Sequence, residues 1–170
     1  MKKIIFVLAS FSVSMACLAQ IQYEVSNDGK NKILKGIISK ETISNDTSFQ
    51  WFAQNQASYK ADERVVNAIK TKGSGIRFIV FGGTWCGDTK DILPKFFSLL
   101  DAAAFPPEKV SLLGVDRNKK TIGYLSEALG ITNVPTILVM KDGKEIGRVV
   151  EYGKTGNWDK ELGAIIDATK

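Results

Sequence analysis

The clearest hydrophobic pattern in the chain lies near its middle. A short, nearly continuous apolar run covers Ile76–Phe81 and is bounded by glycine on both sides, which predicts a strand buried on both faces. From Asp88 onward, apolar side chains recur every three or four residues, which is the spacing of a helix with one buried face. A glycine pair at 82–83 turns the chain between the two elements. Cys86 therefore lies at the mouth of the helix, where unpaired N–H groups and the helix dipole favour a thiolate over a thiol.

Elsewhere the pattern alternates between strands and helices. Further strands are predicted at Ile33–Ile38, as an edge strand, at Val110–Val115, and in a hairpin of Thr136–Met140 and Glu145–Val150 about Asp142-Gly143. Helices are predicted over residues 62–72, 121–129 and 158–168, and among the aromatic residues of 42–59, whereas residues 20–32 are expected to be extended or loose. This order predicts an α/β fold whose mixed central sheet has helices on both faces.

The first nineteen residues have the pattern of a secretory signal peptide. Lys2 and Lys3 precede an apolar stretch, and small residues at Cys17 and Ala19 suit cleavage after Ala19. The alternatives are a retained membrane anchor, or lipidation of Cys17 at a degenerate lipobox that would tether the protein to a membrane. We therefore expect an exported protein, periplasmic or extracellular, of the bacterial cell envelope.

Composition excludes several kinds of chemistry. The chain of 170 residues has no histidine and two cysteines, so histidine-based catalytic pairs and histidine metal ligands are excluded and a zinc site is implausible. Removal of the signal would leave Cys86 as the one cysteine, so no intramolecular disulfide could form. The formal charge of +5 is a mild, dispersed surplus that gives little support to nucleic-acid binding. We predict no metal and no cofactor.

Three motifs in the right order resemble the thioredoxin family. Trp85-Cys86-Gly87-Asp88-Thr89 is similar to the family's Trp-Cys-Gly-Pro-Cys active site, with Asp88 in place of proline and Thr89 in place of the second cysteine. The other motifs are the helix-kinking proline Pro94, the cis-proline segment Gly130–Thr136, and the hairpin turn Lys141–Lys144. The likeness runs from Gly75 to about Lys170 and implies a thioredoxin-like fold. We expect a signal peptide at 1–19, an N-terminal extension with helices at 20–72, whose last helix packs as the first of the domain, and a thioredoxin-like domain at 73–170.

The resemblance assigns roles to the residues around Cys86. Cys86 would be the nucleophile, unless it is a small buried hydrophobe, and Thr89 would donate a hydrogen bond to its thiolate, unless it only caps or packs the helix. Asp88 would oppose a second negative charge beside it. Val80 and Leu112 replace the buried aspartate and lysine of thioredoxins, so the proton relay of a dithiol reductase is missing.

A substrate-binding surface is also implied by the resemblance. Its predicted residues are Trp85, Gly87, Asp88, Val134, Pro135 and Gly153. Pro135 would be cis and would leave the backbone of Val134 free to pair with a substrate strand; a trans proline starting a strand is the alternative. Gly153 would line the same groove, or would be an ordinary turn glycine.

Three functions are compatible with these residues. The leading one is an exported monothiol thiol–disulfide oxidoreductase that forms mixed disulfides through Cys86 with envelope proteins and is resolved by an external thiol or reductase. The second is a redox-inert binding module that uses the same groove without turnover. The third is a peroxidase-like role, against which stands the lack of an arginine next to Cys86 in the sequence.

Overall fold

The structure, a computed structural model, describes residues 22–169. The predicted signal peptide and Cys17 lie outside the described residues. Within this range six strands are formed, β1 to β6, over Tyr23–Asp28, Asn31–Ile38, Ile76–Gly82, Val110–Gly114, Thr136–Lys141 and Lys144–Val150. In the same part of the chain six α-helices, α1 to α6, cover Lys40–Ser44, Trp51–Ala57, Glu63–Lys72, Gly87–Ala102, Leu125–Ala128 and Trp158–Asp167.

The strands form one mixed sheet in the order β1-β2-β4-β3-β5-β6. Only β3 and β4 run parallel among these pairs, and the others are antiparallel. The predicted mixed sheet with a buried central strand is therefore confirmed. The prediction of an edge strand at Ile33–Ile38 is wrong, because β2 pairs on one side with β1 and on the other with β4.

A polar hairpin at the start of the described chain forms the outer edge of the sheet. β1 and β2 pair from Tyr23 opposite Gly36 to Asp28 opposite Asn31, around a two-residue turn. Residues 20–32 were expected to be extended or loose, so this strand was missed. The two strands approach closely at Gly36, where φ is +124° and a Cβ would lie 2.4 Å from the Gln22 carbonyl oxygen. Only glycine fits this close approach.

Alternation along the strands divides the core into two layers. One face of β3, β4 and β5 carries Phe78, Val80, Leu112, Ile137 and Val139, which pack with buried residues of α1, α2, α3, α4 and α6. The opposite face carries Phe81, Leu113 and Leu138, which pack with Leu129 and Ile131 just after α5. Helices thus contribute most of the cover to one face, and the α5 segment covers the other.

The aromatic residues between 42 and 59 belong to the main core or pack against it. Phe49 and Phe52 are buried, and the Phe52 ring lies 6.1 Å from that of Phe97 on α4. Asp46 caps the short 3₁₀ turn before α2 by accepting from the Ser48 N–H. The division of the chain at residue 73 stays a prediction, but the segment before it shares its sheet and its core with the rest.

One predicted helix is shorter than expected. Residues 121–129 were predicted as a single helix, whereas a 3₁₀ turn at Ile122–Tyr124 precedes the four-residue α5. The break occurs at Gly123 and Tyr124, both of which have positive φ. A left-handed pair cannot continue an α-helix, so the segment stays short.

Candidate active site

Cys86 is the N-cap residue of α4. Its φ and ψ of −83° and 132° are extended, and the helix begins at Gly87. The thiol is half-buried, and its Sγ donates to the Val134 carbonyl oxygen at 3.1 Å. The Val134–Pro135 peptide bond is cis. The structure thus brings together the cysteine and the two backbone residues that the sequence placed opposite it.

Thr89 lies in the first turn of α4, beneath the glycine turn. It is fully buried, and its Oγ1 accepts from the Gly83 N–H at 3.2 Å. Its Cγ2 would lie 3.0 Å from a Cβ at Gly82. The hydroxyl therefore fixes the turn that precedes Cys86, which is the packing role that the sequence left open beside direct stabilisation of the thiolate.

Trp85 covers the opposite side of the turn. Its Nε1–H donates to the Val115 carbonyl oxygen at 3.1 Å, and its ring lies on Gly83, where a Cβ would be 2.8 Å from Cε2. The Arg117 guanidinium lies 5.1 Å from the centre of the Trp85 ring and donates to the Asp28 carboxylate. Trp85 is therefore fixed by the hydrogen bond of its indole N–H, by the guanidinium over its ring, and by the Gly83 backbone on which the ring lies.

Two carboxylates lie near the start of α4, those of Asp88 and of Asp91, and the latter is ion-paired with Lys95 at 2.7 Å. Asp88 lies in the first turn of α4, where the helix dipole favours a carboxylate. The Tyr152 hydroxyl donates to Asp91 at 3.4 Å. Partial burial raises the pKa of Tyr152, and the charges of Asp91 and Asp88 raise it further. Tyr152 is thus a protonated, partly exposed donor at this rim, and sequence reasoning missed it although its neighbour Gly153 was singled out.

Pro94 interrupts the hydrogen-bond ladder of α4 close to the site. Because proline has no N–H, the carbonyl of Lys90 four residues earlier receives no bond from position 94. The side-chain amide of Asn55 on α2 donates to that carbonyl oxygen at 2.9 Å instead. The Lys90 ammonium donates to Asn31 at 3.1 Å. The first turns of α4 are therefore anchored to α2 and to β2.

The sheet beneath the site is apolar. Val80 and Leu112 are opposite each other in the parallel β3–β4 pair, and both are buried. These are the positions at which the sequence predicted loss of the buried charged pair. Across residues 22–169 no group of three or more histidine, cysteine or acidic side chains is arranged to hold a metal ion. No helix within this part of the chain is long and apolar enough to cross a membrane.

The remaining predicted surface residue lies against the last helix. Gly153 has a φ of +75°, and a Cβ there would lie 2.7 Å from the Glu161 Oε2 on α6. That carboxylate accepts from the N–H of Lys154 at 2.7 Å. The backbone requires glycine at this close approach, and a role for Gly153 in substrate binding stays a prediction.

The chain is similar in sequence to known proteins over much of its length. A family model described as Thioredoxin matches residues 38–157, so the likeness begins well before Gly75, where the sequence motifs placed its start. A thioredoxin of Echinococcus granulosus is 36% identical over 85 residues, which is 50% of this chain and 74% of the relative. A thioredoxin of Chlamydia pneumoniae is 32% identical over 89 residues, covering 52% of this chain and 76% of the relative.

A solved structure agrees at the level of the fold. A protein of unknown function from Pseudomonas aeruginosa has a TM-score of 0.55 at 16% identity, covering 76% of this chain and 91% of its own. The family match extends over most of the chain and includes the cysteine turn, the proline-containing helix α4 and the cis-proline segment. The chain belongs to the thioredoxin family.

Proposed function

We propose that the protein is an exported monothiol thiol–disulfide oxidoreductase that acts through Cys86. Membership of the thioredoxin family supports thiol–disulfide chemistry on protein thiols or disulfides in general. The single-cysteine mechanism, the export and the choice of envelope proteins as substrates are our proposal. The predicted signal peptide supports export, and Thr89 in place of a second cysteine supports the monothiol mechanism.

One observation carries the proposal. Cys86 is half-buried at the N-cap of a 16-residue helix, and its Sγ lies 3.1 Å from the backbone oxygen that precedes a cis-proline. A sulfur at this position is accessible to a partner, and the helix N-terminus favours its negative charge. Val134 is 3% exposed and its carbonyl oxygen accepts from the thiol, so an extended substrate that pairs with this backbone would put its own N–H in place of the Cys86 S–H.

The reaction needs an external thiol to complete it. The Cys86 thiolate attacks one sulfur of a substrate disulfide, so a bond from Sγ to that sulfur forms, the old S–S bond breaks, and the second substrate sulfur leaves as a thiolate. An external thiolate then attacks the Cys86 sulfur and releases the first substrate sulfur. A second external thiolate attacks the new mixed disulfide, returns Cys86 as a thiolate, and leaves the two external thiols joined as a disulfide. The substrate disulfide gains two electrons, and two external thiols lose them.

The proposal is tested by stoichiometric reaction with an aromatic disulfide. We expect 5,5′-dithiobis(2-nitrobenzoate) at about pH 7 to release one thiol for each Cys86 and to leave a mixed disulfide on the tryptic peptide 78–90. The reaction should be about ten-fold faster than with the isolated peptide of that sequence, because the helix terminus is intact only in the folded protein. Added glutathione should then restore the free thiol. The control is Cys86→Ser, which should form no adduct on this peptide. Labelling that requires denaturant would refute the proposal.

A second candidate function is favoured by the thiol hydrogen bond itself. A Cys86 S–H that donates to Val134 is satisfied without ionising, as it would be in a redox-inert binding module. In that case a partner captured by the wild type should bind Cys86→Ser with the same affinity, and reductant should not release it. Loss of capture in Cys86→Ser, together with release by reductant, would exclude this alternative.

A further inference from the structure

We propose that the β1–β2 hairpin positions Cys86 and that Thr84 is the residue through which it does so. The inference concerns the geometry of the thiol and rests on the proposed function only in taking Cys86 as the reacting group. Thr84 was not singled out from the sequence, and its hydroxyl bonds to β2 rather than to the sulfur or to the predicted docking residues Val134 and Pro135. It is therefore a positioning residue and not a catalytic one.

The hairpin reaches the site because β2 is longer than its pairing with β4. β2 pairs with β4 through Gly36–Ile38, opposite the last residues of β4. Residues 31–35 continue past the end of β4, so their inner backbone edge meets the turn before Cys86. The Leu34 N–H and the Lys32 carbonyl lie on this edge, and a further strand would normally satisfy them.

A single hydroxyl takes the place of that missing strand. Thr84 Oγ1 accepts from the Leu34 N–H at 3.2 Å and donates to the Lys32 carbonyl oxygen at 2.8 Å. Thr84 is 2% exposed, so water is a poor substitute for either bond. Removing the hydroxyl would leave a buried donor and a buried acceptor on β2 unpaired.

The tether is only two residues from the sulfur. The Cys86 N–H donates to the Gly83 carbonyl oxygen at 2.8 Å, which closes a tight turn with Thr84 inside it. Thr89 holds the Gly83 N–H from the α4 side. The turn is thus fixed from α4 by one threonine and from the hairpin by the other, and its orientation sets the direction of Sγ toward Val134 and the helix terminus.

Two further contacts from the same hairpin flank the tether. The Asn31 side chain accepts from the Lys90 ammonium at 3.1 Å, within the first turn of α4. Asp28 accepts from Arg117, whose guanidinium lies over the Trp85 ring. Three polar contacts from residues 28–34 therefore reach both sides of Cys86. This convergence argues that the hairpin is part of the site and not only an edge of the sheet.

The test compares threonine variants by two measurements at the positions concerned. In Thr84→Val, whose shape matches threonine, we expect hydrogen exchange of the Leu34 amide to rise about ten-fold, because its acceptor is gone. We also expect alkylation of Cys86 by iodoacetamide at about pH 7 to fall about three- to ten-fold, because the sulfur loses its place at the helix terminus. Mass spectrometry of the peptide 78–90 measures the alkylation of the full chain without interference from Cys17.

Matched variants separate positioning from general loss of stability. Thr84→Ser keeps the hydroxyl and should show the wild-type rates of Leu34 amide exchange and of Cys86 alkylation. Thr71→Val removes a hydroxyl bond of 2.8 Å in α3 and should change neither rate. Should Thr84→Val fail to fold, Asn31→Ala removes a hairpin contact to Lys90 and should slow alkylation at about pH 7 about two-fold. The inference would be overturned if Cys86 in Thr84→Val were alkylated as fast as in the wild type. If only Asn31→Ala folds, the same result in that variant would overturn it.

The outcomes also separate this inference from the proposed function. Fast wild-type alkylation without any mixed disulfide would refute the oxidoreductase, and slower alkylation in Thr84→Val would still support the positioning role of Thr84. Mixed disulfides that form equally fast in wild type and Thr84→Val would support the oxidoreductase and refute the positioning role.

Discussion

The exchange of hydrogen-bond donors around Pro94 can be tested as a double-mutant cycle. In the wild type, the Lys90 carbonyl cannot receive a bond from position 94, and the Asn55 amide supplies it at 2.9 Å. Pro94→Ala restores a backbone N–H at the position where a regular α-helix would use it. Asn55 should therefore matter for stability only while Pro94 is present.

The expected energies follow from this geometry. In the wild type, Asn55→Ala removes one half-buried bond from a side chain to a carbonyl, worth about 1 kcal/mol of the free energy of unfolding. Alanine also has a higher helix propensity than asparagine, which offsets about 0.5 kcal/mol within α2. That offset is the same in both backgrounds and cancels in the cycle. We expect a coupling free energy of about 1 kcal/mol between Asn55 and Pro94.

Urea unfolding of the four proteins measures this coupling. The slope of the unfolding free energy against urea should be the same in all four, so that the comparison reports stability and not a change in the unfolded state. Gln56→Ala, one residue further along α2, is the matched control. It removes a neighbouring amide whose bond is to Asp101, and its effect should be additive with that of Pro94→Ala. Equal costs of Asn55→Ala in both backgrounds would refute the reasoning.

Three further predictions concern other parts of the fold. Phe52→Ala should lower the free energy of unfolding by about 3–5 kcal/mol in a single transition, because the residue is buried in the shared core; a separate early transition would instead make the N-terminal segment an independent unit. The hydrogen bond from Lys32 and, to a smaller extent, one from a backbone N–H lower the pKa of Asp46 to about 2. Its stabilisation is therefore present above about pH 4 and lost as the pH falls toward about 2, and Asp46→Asn should remove about 1 kcal/mol of this acid dependence in unfolding titrations. Trp85→Phe should cost about 1 kcal/mol by thermal or urea unfolding, since the Val115 carbonyl loses its donor; an unchanged midpoint would contradict it.

The parts of the fold that could be predicted from sequence are those with local signals. The glycine pair before Cys86, the apolar spacing after Asp88 and the Asp142-Gly143 turn each constrain only a few neighbouring residues, and the structure forms α4 and the β5–β6 hairpin there. The apolar run at Ile76–Phe81 required burial on both faces, which a central position in the sheet provides. Each of these elements is specified by a short stretch of sequence.

The missed features depend on contacts between distant parts of the chain. β1 is nearly all exposed, so it has no buried apolar face to reveal a strand. In the sequence Thr84 and Asn55 look like ordinary polar residues. Only folding brings Thr84 to the unpaired end of β2 and Asn55 to the carbonyl that Pro94 leaves without a donor. A pattern in the sequence can indicate that a carbonyl is free, but not which side chain will reach it.

The pairing of β2 with β4 joins two strands that are far apart in the sequence. β2 is synthesised early, whereas its partner β4 follows only after the cysteine turn and α4 have been made, and Val134 comes later still. Pairing across such a separation is slow because a long loop must close first. A nascent or truncated chain that ends before residue 134 would contain Cys86 without the carbonyl that it meets in the native fold. The surroundings of this thiol therefore differ between a chain cut before residue 134 and the folded protein, so thiol labelling should distinguish the two.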